Sequence, residues 1–162
     1  MVGGIKMATA SQILEWIKDW IDKYEFNYKI NQNELQISDL KVDCKLKNCD
    51  ISYMCYDDHI AVSATIKLRA DKDCQIKVAE YITRANDCDP FGSFQMDFDD
   101  GEICYRYNID CTDRTSLPNQ LLNTSLNAPL SKIEEYGDGL IAVMYGIKSP
   151  EEAIKDIEKN NK

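Results

Sequence analysis

Histidine is almost absent from this chain: His59 is the only one among 162 residues. A zinc site built on histidine pairs is therefore excluded, and a Ser/His/Asp or Cys/His arrangement would have to use His59 itself. Glycine and proline are scarce, at seven and four. No Gly-x-Gly-x-x-Gly or phosphate loop occurs, no Gly-x-Ser-x-Gly elbow, and no Ser/Gly/Pro-rich linker that would divide the chain. No apolar run approaches bilayer length, and the opening Met-Val-Gly-Gly-Ile-Lys-Met has no signal-peptide core. It reads as a flexible leader over residues 1–8, in which Met7 offers an alternative start. Positive charge is also short, with 19 Lys and Arg against 28 Asp and Glu, a net −9. Most of the excess lies beyond Tyr81. A surface this acidic repels phosphate backbones and anionic membranes, so neither nucleic acid nor membrane is an expected partner, whereas a basic protein surface is compatible.

What is present describes a folded domain. Hydrophobic residues make up 44% and charged residues 29%, which separates the chain from disordered sequences. The seven cysteines are odd in number and include no Cys-x-x-Cys pair. They read as free, reduced thiols of a cytoplasmic protein. Read as one strand, Cys44-x4-Cys49 sends its two side chains to opposite faces, and Cys44, Cys55 and Cys111 are the thiols expected to be least accessible.

Thr9 and Gln12 have capping-box spacing, followed by Ile13, Leu14, Ile17, Trp20, Ile21 and Tyr24 at helical intervals. From Tyr28 to Arg69 the period changes to alternation. Val42, Cys44 and Leu46 oppose Lys41, Asp43, Lys45 and Lys47. Ile51, Tyr53 and Cys55 alternate with Ser52, Met54 and Tyr56, giving a strand apolar on both sides. Asp57-Asp58 marks a turn, and Ile60 to Leu68 a further strand. A helix follows from Cys74 to about Ala85, with Asn86 as a left-handed C-terminal residue. Asp89-Pro90-Phe91-Gly92 turns the chain, Phe94, Met96 and Phe98 form a strand, and Asp100-Gly101 predicts a two-residue hairpin with positive φ at Gly101. Ile103, Tyr105, Tyr107 and Ile109 return. A helix starts at Leu117-Pro118, is expected to break at Pro129 and bend at Gly137-Asp138-Gly139, and Ser149-Pro150-Glu151-Glu152 caps a last one. The expected fold is α+β: an antiparallel sheet of about five strands covered on one face by helices, in the order α-β-β-β-α-β-β-α(α), as one domain over residues 9–160.

This order resembles the YbjN-like family of bacterial proteins, whose fold is shared with the small chaperones of type III secretion. The resemblance runs from about Ile13 to Glu158. It is most specific at Arg84-Ala85-Asn86, Phe91-Gly92-Ser93-Phe94, Asp97, Asp100-Gly101-Glu102 and the strand Ile103-Cys104-Tyr105-Arg106-Tyr107. It implies a non-enzymatic protein-binding domain, chaperone-like or regulatory, that pairs as a homodimer. These are positions of caps and turns, not of catalysis.

No catalytic, cofactor-binding or metal-ligating residue is assigned. Asp97 to Glu102 lacks the alternate ligands of a calcium loop, and the hairpin explains its Asp and Gly. The expected interaction surface is Met54, Tyr56 and Tyr81. The competing expectation is a small-ligand module or enzyme with a polar pocket between sheet and helices near His59.

Overall fold

The computed structural model describes residues 7–87 and 89–160, without the side chains of Asn48 and Asn160. Residues 1–6 of the expected leader and the thiol of Cys88 lie outside the described residues. Ala8, the last residue assigned to that leader, is buried.

Helix α1 (Ala10–Ile21) starts where the Thr9 hydroxyl accepts from the Gln12 amide while the Gln12 side chain accepts from the Thr9 amide. Its apolar stripe, Ile13, Leu14, Ile17, Trp20 and Ile21, is buried. Tyr24 lies past the helix, in a 3-10 turn, and is exposed. The sheet comprises β1 (Lys29–Asn31), β2 (Gln36–Cys44), β3 (Lys47–Cys55), β4 (His59–Arg69), β5 (Gly92–Met96) and β6 (Glu102–Asp110). All neighbours are antiparallel, in the order β1-β2-β3-β4-β6-β5. The sixth strand is β1, too short to show an alternating pattern, and the Leu35–Ile37 signal is the start of β2.

Register explains the core. Ile37, Tyr53, Val62 and Tyr107 form one row across the sheet, and Leu40, Ile51, Ala64, Tyr105 and Phe94 another. All are buried, under α1, α2 (Gln75–Asn86) and α3 (Asn119–Met144). Each buried aromatic or large aliphatic side chain contributes about 1.5–3 kcal/mol. The opposite face carries Ser52, Ser63, Arg106 and Ser93 in one row and Asp50, Thr65, Cys104 and Gln95 in the next. The one-sided cover is as expected. On this open face Asp50 and Lys67 form an ion pair, and Arg106 stands among small polar side chains in the middle.

Three expectations are corrected in the second half. Helix α3 is continuous through Pro129 and through Gly137-Asp138-Gly139. Pro129 removes one backbone bond, but its ring is buried in the core. The glycines permit close approach instead of bending the helix. A Cβ at Gly139 would stand 2.3 Å from the Tyr81 hydroxyl, and one at Gly137 3.2 Å from Leu46. Asn86 is helical, not left-handed. Its side-chain amide donates to the Phe94 carbonyl and accepts from the Phe94 amide, so it stitches α2 to edge strand β5. The Asp100-Gly101 hairpin is longer than two residues: the loop 97–101 closes with the Gly101 amide donating to Asp97, and Gly101 has φ +74°. Helix α4 (Pro150–Asn160) has the Ser149/Glu152 capping box.

Candidate interaction surface

Strands β3 and β4 meet at the Asp57-Asp58 turn, where the Tyr56 amide donates to the His59 carbonyl. Met54 and Tyr56 share a parity, and the register Met54 to Ala61 puts His59 on that same open face. The consequence is one cluster. The Tyr56 and His59 rings stack with centroids 4.3 Å apart and planes 9° from parallel. The Tyr56 hydroxyl donates to Met54 Sδ at 2.9 Å. His59 Nδ1 lies 2.6 Å from Asp58 Oδ1, and this contact holds the Asp58 carboxyl below its usual range. Asp57 instead accepts from the Ala10 amide at 2.7 Å, tying the turn to the start of α1. Across β6, His59 is in register with Asp110. An aromatic platform therefore stands in an acidic setting at one end of the sheet, with Tyr56 42% exposed.

Two of the three expected surface residues, Met54 and Tyr56, are brought together here. Tyr81 is not. It is 1% exposed, and its hydroxyl donates to the Tyr136 carbonyl at 2.6 Å. Its place on the buried stripe of α2 beside Val78 and Ile82 makes it a core residue, and burial raises its phenol pKa. His59 belongs to the same cluster, a link the sequence contained in the parity of positions 54 and 56 and in the turn at 57–58. Other exposed apolar residues were not singled out in advance: Ile76 at the start of α2, Phe91 before β5, and Tyr145 and Ile147 in the connection between α3 and α4.

The polar pocket expected between sheet and helices near His59 is not what fills that layer. Tyr53, Tyr105 and Tyr107 occupy it. A small apolar void between sheet and helices, lined by Leu46, Ile66, Tyr81 and Leu140 among others, has a volume near 10 Å³ and sits at the far end of β4 from His59. A cleft of about 450 Å³ lies elsewhere, between Glu25–Lys29 and Asp39 and Lys41 of β2.

A second polar centre is structural. The Asp89 carboxylate, 4% exposed, accepts from the Tyr105 hydroxyl at 2.5 Å and from the Phe91 and Gly92 amides, with Lys132 at 3.7 Å. Burial pushes its pKa up, but these donors and the lysine outweigh burial and leave it below the ordinary value. It fixes the turn before β5 to β6 and α3. Among the described residues no group of three or more His, Cys, Asp or Glu side chains is arranged to hold a metal, and no helix is long and apolar enough to cross a membrane.

The fold is YbjN-like. The chain superposes on the crystal structure of YbjN from E. coli, which is proposed to be a transcription regulator, with a TM-score of 0.54 and 11% identity. The match covers 75% of this chain and 85% of that one. No family model matches the sequence, and no curated protein does.

Proposed function

We propose that this chain is a non-enzymatic protein-binding domain with a chaperone-like or regulatory role, acting in a reducing cytoplasm. The observation that carries the reading is the Met54–Tyr56–His59 cluster on the uncovered sheet face. An exposed aromatic held by stacking and by a hydrogen bond gives contact area at little ordering cost on binding. Asp58 and Asp110 around it favour a partner that brings basic side chains beside an apolar one. The net charge of −9 argues for regulation through protein contacts and against a nucleic-acid backbone or an anionic membrane as the ligand. YbjN's own proposed regulatory role supports the regulatory half of this reading.

A second copy of the chain is one such partner. Pairing through the edge of β3 is closed off, because β3 lies between β2 and β4. A homodimer would instead use the open face at Met54 and Tyr56. The test is affinity capture from native cell extract with mass spectrometry, using the wild type and a Met54→Asp/Tyr56→Asp variant. A protein retained by the wild type and lost by the variant is the expected result. Equal retention by both, or retention of a small molecule and no protein, contradicts the reading.

A further inference from the structure

Cys44 and Cys49 do not point to opposite faces. The strand does not run through them: β2 ends at Cys44, Lys45 and Leu46 turn the chain, and β3 begins at Lys47. In the β2–β3 register, Val42 faces Cys49 and Cys44 faces Lys47, so the two cysteines lie diagonally on the helix-covered side. Lys47, the first residue of β3, has a left-handed φ of +80°. The two Sγ atoms are 2.8 Å apart, a short movement from bonding distance. Cys49 is fully buried and Cys44 half-buried, so an oxidant reaches Cys44 first. The expectation that Cys44 is among the least accessible thiols is thereby corrected in favour of Cys49, while Cys55 and Cys111 are buried as expected.

We infer that Cys44 and Cys49 form a peroxide-responsive thiol pair that closes a reversible disulfide across the β2–β3 hairpin. In the first step Cys44 Sγ attacks a hydroperoxide oxygen. The O–O bond breaks, Cys44 becomes a sulfenic acid, and water leaves (an alcohol, for an organic peroxide). In the second step Cys49 Sγ attacks the Cys44 sulfur. The S–O bond breaks, the S–S bond forms, and the departing hydroxide takes the Cys49 proton as a second water. The two sulfurs together give up two electrons, and the peroxide accepts them. Burial, the contact with Cys44 and the nearby Glu134 carboxylate raise the Cys49 thiol pKa, which disfavours Cys49 for the first attack.

The hairpin held by this bond is docked on α3. The Lys45 amide donates to Glu134, Lys45 Nζ pairs with Asp138 at 2.6 Å, and Leu46 packs against Gly137. Oxidation therefore fastens the tip that seals the seam between sheet and α3. It also keeps Cys44 from proceeding to sulfinic acid.

The test treats the full-length reduced protein with hydrogen peroxide, then alkylates it and maps peptides by mass spectrometry. The inference expects one disulfide, Cys44–Cys49, reversed by dithiothreitol, and a rise in thermal midpoint that Cys44→Ser abolishes. Cys49→Ala should accumulate a Cys44 sulfenic acid trapped by dimedone. A mapped bond joining another pair such as Cys55–Cys111, or Cys44 over-oxidised while Cys49 still alkylates, overturns it. The wild-type map decides even if a variant fails to fold.

Discussion

Single side chains in this protein are tuned by what the backbone around them leaves no room for. Gly101 combines a left-handed φ of +74° with a carbonyl, that of Ala70, 2.1 Å from where a Cβ would stand. The Ala70 amide donates to the Gly101 carbonyl at 2.8 Å, so the contact cannot open without cost. Gly101→Val should destabilise the domain by more than about 1 kcal/mol, read as a lowered chemical-denaturation midpoint. An unchanged midpoint would contradict the docking of this loop on Ala70. Asp89 makes the second residue-scale prediction. Its carboxyl is lowered from the ordinary 3.8 in the folded state, so it adds stability above that value, and the stability is lost as pH falls through the folded pKa, below 3.8. Asp89→Asn should cost about 1–3 kcal/mol at neutral pH, as a buried acceptor replaced in a site of donors. It should also flatten the acid limb of the stability curve below pH 3.8 relative to wild type. Parallel acid limbs in wild type and variant would remove Asp89 as their source.

Individual elements were legible to the extent that their signals were local. Both capping boxes, the apolar stripe of α1 from Ile13 to Ile21 and the alternation of β4 depend on neighbours a few positions away, and each appears where its spacing put it; only Tyr24, past the helix end, does not. Most of the misread features depend on a partner outside their own element, and the others on a turn that alternation does not show. Cys44 to Cys49 looks like continuous strand until the turn at Lys45-Leu46 is known. Asn86 looks like a helix stop because its true partner, Phe94, lies across a turn. Gly137 and Gly139 look like helix breakers because Leu46 and Tyr81, which need the space, are far away in sequence. The two glycines give a contrast prediction. Replacing either by Ala gains about 1 kcal/mol of helix propensity. At Gly137 the new Cβ meets the end of the flexible Leu46 side chain at 3.2 Å, so Gly137→Ala should be near neutral. At Gly139 it meets the Tyr81 hydroxyl at 2.3 Å, and that hydroxyl is held by the Tyr136 carbonyl. Gly139→Ala should therefore be net destabilising. Thermal unfolding of both variants checks the order, and a Gly139→Ala protein as stable as Gly137→Ala would contradict the proposed close packing of α2 on α3.

For the whole molecule, the sheet has one face committed to three helices and one face open, with short strands β1 and β5 at its edges. Short edges discourage strand addition, which leaves the open face as the larger surface for a partner. The Met54 and Tyr56 part of the candidate surface was readable from an alternation apolar on both sides, whereas Tyr81 was misplaced because a helical phenol gives no local sign of the face it occupies. The central claim is that the end of this face at Met54, Tyr56 and His59 contacts protein. The most direct measurement places a photocrosslinking phenylalanine derivative at position 56 in the native cell, with the exposed Lys23 position as control. The account predicts a discrete adduct from position 56 and none from position 23, at twice the chain mass if the partner is a second copy. No adduct from position 56, or the same adducts from both positions, would contradict it.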